Sequence, residues 1–227
     1  MNDKVKGVLF DFNGTMMYDS PIHRAVWYDF VPEHGGGAIT DDDIDKRILG
    51  RDNKQILTDF FGEMPQSEID RLAYDKEAEY RRRCLLDPER FHLVAGVREF
   101  LDWLVANGYP INIGTGSEVN NVNFYFERPE TDLGRWFDRQ KVVFDDGSFP
   151  GKPHPDIYVR AAAAIGLDCS DCIVFEDSYS GVAAARRAGA KYVVALGEDV
   201  CAEKFADIGG VDLAVNDFTQ FRLFPGF

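Results

Sequence analysis

Short β-branched runs alternate with helical patterns from residue 92 onward, and this alternation limits the fold more than any other feature. Each of five runs follows a helix-like segment: residues 111–114, 142–144, 172–175, 192–196 and 213–215. Such an order is typical of a parallel sheet covered by helices. Residues 5–10 form one further apolar run, whose continuous hydrophobic character predicts a strand in the centre of that sheet.

The segment between residues 20 and 90 has a different pattern. Apolar residues recur there at helical spacing, with many charges between them and without a strand signal: Val26, Phe30, Ile56, Leu57, Phe60, Phe61, Ile69, Leu72 and Ala73. Residues 35–37 and 62–65, rich in Gly and Pro, interrupt the pattern. This region therefore predicts a small helical bundle inserted after the first strand.

Composition excludes several classes of partner. The chain has 227 residues, and its 39 acidic against 25 basic residues give a net charge of −14. That charge disfavours binding to nucleic acid or to an anionic membrane. Four scattered cysteines do not form a disulfide scaffold, and neither a signal peptide nor an apolar run of roughly 20 residues is present. We therefore expect a cytoplasmic protein, monomeric by preference.

Polar residues at the ends of predicted strands are the candidates for chemistry. Asp11 directly follows an apolar run and precedes a glycine turn in the stretch VLFDFNGT, residues 8–15. Open α/β sheets place their sites at the carboxyl ends of strands, which suits a nucleophile or a metal ligand. An aspartate that only starts a turn is the alternative interpretation.

A hydroxyl group and backbone N–H groups follow the next strand, at Thr115, Gly116 and Ser117. Groups of this kind at a strand-to-helix junction can bind an anion. A serine or threonine that caps the following helix is the competing interpretation.

The stretch KPHPD, residues 152–156, places a lysine between a strand and a helix predicted to start near Pro155. The prolines restrict the backbone there, so that the Lys152 ammonium group is aimed and can neutralise a phosphate oxygen. A solvated loop lysine is the alternative. Further on, Glu176 and Asp177 end an apolar strand, and two adjacent carboxylates at such a position indicate a bound cation.

Taken together, the order and context of these motifs resemble the haloacid dehalogenase superfamily of phosphotransferases. Within it, the chain is most similar to the group containing β-phosphoglucomutase and its phosphatase relatives, over nearly its whole length. The resemblance implies a doubly wound, Rossmann-like parallel-sheet core at residues 1–19 and 91–227. It also implies an inserted four-helix cap domain at residues 20–90, which closes to exclude bulk water.

The resemblance further implies a role for each candidate residue. Asp11 would be the nucleophile that accepts the phosphoryl group, and Thr115 and Lys152 would hold its oxygens. Mg²⁺ would be bound by the carboxylates of Asp11, Glu176 and Asp177 and by the backbone carbonyl of Asn13. Substrate would be contacted by Gly116, Ser117, His23, Arg51 and Lys54. The alternative for His23 is a role in helix packing, and the alternative for Arg51 and Lys54 is a solvated helix start.

Asn13 departs from the family pattern, because the superfamily's phosphatases carry an aspartate that protonates the leaving group two residues after the nucleophile. An amide cannot transfer a proton as a carboxyl group does. Three explanations stay open at this stage. Asn13 is an engineered change, or it is native beside another base such as His23, or the protein binds a phosphorylated ligand without turning it over.

The function expected from these arguments is Mg²⁺-dependent hydrolysis of a small phosphomonoester, with a sugar phosphate preferred, through an aspartyl phosphate. The small phosphorylated metabolite is the expected partner. A sugar phosphate mutase of the β-phosphoglucomutase type is the nearest alternative. A catalytically quiet phospholigand-binding protein is the alternative from another class.

Overall fold

The computed structural model describes residues 4–48, 51–197 and 202–227. The chain divides into two compact units, which are Met1–Tyr18 with His92–Phe227, and Asp19–Phe91. The first unit contains the sheet, and the second is helical. We call them the sheet unit and the helical unit.

Six strands of the described residues form one parallel sheet in the order β3-β2-β1-β4-β5-β6. Their bounds are β1 Gly7–Phe10, β2 Ile111–Thr115, β3 Val143–Phe144, β4 Cys172–Glu176, β5 Tyr192–Leu196 and β6 Leu213–Val215. In register, Val8 of β1 lies opposite Ile111 on one side and Ile173 on the other. The predicted α/β fold with a central first strand is therefore confirmed. The strand order reverses at β1 and β4, where open α/β sheets form their binding crevice.

Four strand ends differ from the sequence prediction, and one of them is the start of β3, which lies at Val143 and not at residue 142. β1 begins at Gly7, since its pairing with β4 starts there, opposite Cys172. The Val5 N–H instead donates to the carbonyl of Gly226 at 3.0 Å. At the other end of the sheet, β2 and β4 each continue one residue further than predicted, to Thr115 and Glu176. The ladder thus carries both of these polar residues to the edge of the crevice.

Helices occupy both units. In the helical unit they are α1 Ser20–Glu33, α2 Asp41–Asp43, α3 Asn53–Phe61 and α4 Gln66–Leu86. In the sheet unit they are α5 Val97–Ala106, α6 Val119–Glu127, α7 Asp156–Ala164 and α8 Tyr179–Arg187. The predicted helix breaks at residues 35–37 and 62–65 lie in the loops after α1 and α3. A π-helix, Ile44–Ile48, continues α2 and was not predicted.

The core of the sheet unit lies on both sides of the sheet. On one side, small residues of α7 and α8 pack with Leu9 and Val174, which lets these helices lie close to the strands. Elsewhere, Phe10 of β1 and Phe175 of β4 stack at 5.2 Å between ring centroids and contact Phe100 and Phe218. Burial of each such ring contributes about 1.5–3 kcal/mol, so the strands that end in the candidate site are firmly anchored.

Charged residues are buried in the helical unit. Lys76 and Glu77 of α4 are 2% and 4% exposed. The Lys76 Nζ donates to Glu77 Oε1 at 2.7 Å and lies 3.2 Å from His23 Nδ1. Asn53 Nδ2 donates to the same Glu77 oxygen at 2.8 Å. A buried charge is tolerated only when it is paired in this way.

Acid is expected to destabilise the helical unit through Glu77. Burial alone would raise the pKa of this carboxyl, but the Lys76 charge and the hydrogen bonds outweigh burial and lower it from 4.5 to about 2. A folded-state pKa below the unfolded one contributes stability above about pH 4.5, and that stability is lost as the pH falls towards 2. The contribution is about 3 kcal/mol at neutral pH.

Acid titration of the helical content checks this expectation. We expect Glu77→Gln to flatten the stability curve between pH 5 and pH 2, the interval in which the glutamate takes up its proton. Glu89→Gln removes an exposed glutamate of the same unit and is the matched control. Equal acid sensitivity of the two variants would contradict the assignment.

Two further observations complete the fold. The thiols of Cys84, Cys169 and Cys172 are free and buried, and Cys201 lies outside the described residues. Over the described part of the chain, every helix is too short or too polar to cross a membrane.

Candidate active site

Asp11 follows β1 directly and is 5% exposed. Its backbone N–H donates to the carbonyl of Phe175 at 2.9 Å, which continues the pairing with β4. The chain then turns at Gly14, whose φ is +77°. A Cβ at this position would lie 2.1 Å from Asp177 Oδ2, so glycine is required for the two strand ends to approach each other. Because Asp11 is buried, it differs from an aspartate that only starts a turn at the protein surface.

Lys152 reaches this carboxylate from the loop before α7. Its Nζ donates to Asp11 Oδ1 at 2.6 Å and also donates to Glu176 Oε1. The peptide bond to Pro153 is cis, and α7 begins at Asp156 after Pro155. Only 10% of the Lys152 side chain is exposed, which excludes the alternative of a solvated loop lysine.

Both carboxylate oxygens of Glu176 accept hydrogen bonds. Its Oε2 accepts the backbone N–H groups of Asp177 and Ser178, at 2.9 and 3.0 Å, and the Ser178 hydroxyl at 3.0 Å. Its Oε1 accepts the hydroxyl of Tyr158 at 2.7 Å as well as the Lys152 ammonium. Gly181 of α8 leaves room for it, because a Cβ there would lie 1.7 Å from Oε1.

The unequal bonding of Glu176 and Asp11 shifts their pKa values in opposite directions. Burial raises the pKa of Asp11 to about 7, since the attraction of Lys152 does not compensate for lost water and Glu176 adds repulsion. For Glu176, the Lys152 charge and the bonded donors outweigh burial and lower the pKa. The two carboxylates in turn outweigh burial at Lys152 and raise its pKa. The Lys152 ammonium group is thus shared by two carboxylates, and the ionised form is better stabilised at Glu176 than at Asp11.

The carboxylates of Asp11, Glu176 and Asp177 also suit a divalent cation. One oxygen of each lies within 4.8 Å of the others. Carboxylate oxygens are hard ligands of the kind that Mg²⁺ prefers. The donor set therefore fits the predicted ion, while the predicted carbonyl ligand from Asn13 stays a prediction.

Thr115, Gly116 and Ser117 lie between β2 and α6. Thr115 is buried and its Oγ1 accepts the Ser117 N–H at 3.2 Å, whereas Gly116 is exposed. Glu118 caps α6 by accepting two backbone N–H groups, at 3.0 and 3.2 Å. The interpretation of Thr115 or Ser117 as the helix cap is therefore wrong, which leaves both hydroxyl groups for another task.

Asn13 is joined to the same loop through its side chain. The Ser117 hydroxyl donates to Asn13 Oδ1 at 2.6 Å, and Asn13 Nδ2 donates to the Tyr125 hydroxyl at 2.9 Å. The structure thus brings the predicted residues of the sheet unit to one edge of the sheet. Asp11, Lys152, Glu176 and Asp177 are linked at one point of this edge, and Asn13 connects them to the Thr115 loop.

A family model described as haloacid dehalogenase-like hydrolase matches residues 5–189. The chain belongs to this family. The matched part contains Asp11, Thr115, Lys152 and Asp177, and it includes the whole helical unit.

This hydrolase is similar to several known proteins over most of their length. It is 29% identical over 217 residues to validoxylamine A 7'-phosphate phosphatase of Streptomyces hygroscopicus subsp. limoneus, covering 96% of each chain. It is 30% identical over 192 residues to fructose-1-phosphate phosphatase YqaB of Escherichia coli strain K12, covering 83% and 95%. A solved HAD hydrolase of family IA, variant 3, from Entamoeba histolytica is 33% identical, with a TM-score of 0.84 and coverage of 95% and 94%.

The helical unit of the hydrolase carries three predicted substrate contacts, His23, Arg51 and Lys54. His23 stacks on Tyr80 at 3.8 Å between ring centroids, which agrees with the packing role considered for it. Arg51 is exposed and pairs with Asp59 at 2.9 Å, and Lys54 is exposed. Contact of these three residues with a substrate stays a prediction.

Sequence reasoning missed Tyr125 and Tyr158 as residues of the candidate site. Both are buried tyrosines, and a buried phenol normally has a hydrogen-bond partner. Tyr158 lies six residues after Lys152 and donates to Glu176, but its spacing resembles that of an ordinary core residue of α7. Tyr125 stands between Phe124 and Phe126, so the sequence shows only an aromatic helix. The partner of each hydroxyl comes from a distant part of the chain and left no local signal.

Removal of the shared cation is expected to destabilise the sheet unit. Lys152→Met leaves Asp11 and Glu176 buried without a positive partner, at a cost of about 3–5 kcal/mol in the free energy of unfolding. Urea denaturation followed by tryptophan fluorescence measures this loss.

Lys6→Met provides the matched control, because Lys6 pairs with Asp171 at the surface at 3.0 Å. Loss of such an exposed pair costs about 1 kcal/mol or less. We expect Lys152→Met with Glu176→Gln to recover part of the stability, since one uncompensated charge is then removed. Equal losses in the two lysine variants would show that Lys152 does not neutralise a buried pair.

Proposed function

We propose that this chain hydrolyses a small phosphomonoester of the sugar phosphate class. The observation that supports the proposal most is the buried Asp11 carboxylate with the Lys152 ammonium 2.6 Å from its oxygen. An acid in such a position is a candidate nucleophile, and a fixed cation beside it suits a phosphoryl group. The relatives from Streptomyces hygroscopicus and Escherichia coli support the substrate class. Both are named as phosphatases, and the name of the second specifies fructose 1-phosphate.

The proposed reaction has two steps. In the first, an Asp11 carboxylate oxygen forms a bond to phosphorus as the bond from phosphorus to the alcohol oxygen breaks, and the departing oxygen takes a proton from water, which leaves hydroxide. In the second, water attacks phosphorus, the aspartyl phosphorus–oxygen bond breaks, and the proton that the attacking water loses neutralises this hydroxide. Asp11 and inorganic phosphate are then released. Lys152 and the Thr115 loop hold the transferring oxygens in both steps, which supplies the positioning on which phosphoryl transfer depends.

Asp11, Glu176 and Asp177 would hold Mg²⁺ in this reaction. When bound, the ion neutralises the charge of the phosphoryl oxygens and helps to align them. Within the chain, Lys152 neutralises the negative charges of the Asp11 and Glu176 carboxylates, with which it forms ion pairs.

Release of inorganic phosphate tests the proposal. We expect hydrolysis of at least one sugar phosphate, such as fructose 1-phosphate, and of 4-nitrophenyl phosphate in the presence of Mg²⁺. EDTA should abolish the release, and added Mg²⁺ should restore it. Formation of an isomeric sugar phosphate without free phosphate would instead favour the mutase. Absence of any turnover, with tight Mg²⁺-dependent ligand binding in calorimetry, would favour the quiet binding protein.

A further inference from the structure

The side chain at position 13 is held at both ends. Ser117 donates to Asn13 Oδ1 at 2.6 Å, and Asn13 Nδ2 donates to the Tyr125 oxygen at 2.9 Å. An amide has one accepting oxygen and an NH₂ group with two N–H donors; Ser117 donates to the oxygen, and one N–H donates to Tyr125. Two separate elements, the loop after β2 and helix α6, therefore determine the orientation of the amide plane.

Tyr125 is itself immobilised. It is 1% exposed, and its ring lies 4.4 Å from that of Phe12 and 5.9 Å from that of Phe124, measured between centroids. Phe12 immediately precedes Asn13, so one tyrosine packs against residue 12 with its ring and bonds residue 13 with its hydroxyl. A side chain packed in this way has little rotamer freedom and can position what it bonds.

A fixed amide has a chemical use next to a nucleophile. An amide N–H group cannot transfer its proton, but it can donate a hydrogen bond to an oxygen on which negative charge develops. Such a donor contributes most when it needs no reorientation during the reaction. Asn13 lies two residues from Asp11, on the loop that presents the nucleophile.

We propose that Tyr125 is a positioning residue that aims the Asn13 amide as a hydrogen-bond donor towards the departing oxygen of the substrate. This inference rests on the proposed phosphomonoester hydrolysis and adds to it a residue that none of the motifs contains. Tyr125 acts through Asn13 and does not itself contact the substrate.

The inference predicts a dependence on the leaving group. A poor leaving group, such as phenolate or a sugar alkoxide, carries more negative charge in the transition state than 4-nitrophenolate and depends more on a donor. We expect Tyr125→Phe to lower kcat/KM for phenyl phosphate roughly threefold to tenfold, the effect of one neutral hydrogen bond. The KM should stay unchanged, because the lost interaction belongs to the transition state. For 4-nitrophenyl phosphate the decrease should be clearly smaller.

A double-mutant cycle of four proteins tests whether the effect of Tyr125 on activity depends on Asn13. The set contains the wild type, Tyr125→Phe, Asn13→Ala and the double variant. In the Asn13→Ala background, we expect Tyr125→Phe to change kcat/KM less than twofold, since its target is gone. Tyr109→Phe removes a hydroxyl from the aromatic cluster of the same unit and should leave activity unchanged.

A spectroscopic readout separates failure of this inference from failure of the proposed function. The side-chain NH₂ signals of Asn13, assigned by their loss in Asn13→Ala, should shift in Tyr125→Phe and not in Tyr109→Phe, whether or not the protein is active. Unshifted signals, or equal effects of Tyr125→Phe with and without Asn13, would overturn the inference. Absence of phosphate release in every variant, with the signals shifted, would overturn the proposed function and with it the catalytic part of the inference.

Discussion

Asp11→Asn is expected to reduce phosphate release to the background rate, a loss of at least about 10³-fold, as for removal of a nucleophile in other enzymes. The amide is nearly isosteric with the carboxylate, but it does not displace an alcohol from phosphorus under these conditions. The protein should nevertheless fold, because Lys152 keeps its hydrogen bond to Glu176. The amide oxygen of the substituted residue 11 can also still accept a hydrogen bond from the Lys152 ammonium group. Steady-state phosphate release and thermal unfolding measure the two expectations.

Asp171→Asn is the matched control for this change. Asp171 also accepts from a lysine, at 3.0 Å, but in a surface pair with Lys6. The control should retain full activity. Phosphate release that persists in purified Asp11→Asn protein would place the nucleophile elsewhere and remove the basis of the proposed mechanism. A sugar phosphate that still binds to this variant in calorimetry would show that the binding site is intact.

Asn13→Asp is expected to raise turnover at least about tenfold, the lower end of the range for general acid and base catalysis. A carboxyl group at position 13 can protonate the departing oxygen and later activate water. The surroundings accept this change, because both hydroxyls next to position 13 can rotate to donate to a carboxylate. Ser117 already does so towards Oδ1, and Tyr125 would reverse the direction of its bond. The gain should be largest with sugar phosphates, whose alkoxide leaving groups need a proton.

Asn123→Asp is the matched control for the added charge, since Asn123 is exposed and its Oδ1 already accepts from Arg139 at 2.7 Å. It should leave turnover unchanged. An Asn13→Asp protein that binds Mg²⁺, remains folded and shows no gain would refute the claim that a missing proton shuttle limits the rate. That result would favour a different base in the native enzyme, or a protein selected to bind a phosphorylated ligand.

The fold was largely predictable because its signals are local. Runs of β-branched residues predicted β5 and β6 to the residue, and a continuous apolar run placed β1 in the centre of the sheet. The errors occurred at strand ends such as Thr115 and Glu176, where pairing with a neighbouring strand extends the ladder by one residue. Such pairing is a long-range interaction that a local pattern does not contain.

The amino-acid sequence by itself determined which chemistry is available, since it places Asp11, Thr115, Lys152 and an acidic pair at the carboxyl ends of parallel strands, and such ends meet at one edge. Only the tertiary structure decided how these groups share their charges. It shows that one ammonium compensates two carboxylates and that Tyr158 and Tyr125 hold Glu176 and Asn13. The physical reason is that hydrogen bonds and buried charge depend on distances of a few ångströms between residues up to 141 positions apart, and these distances arise only when the whole sheet has packed.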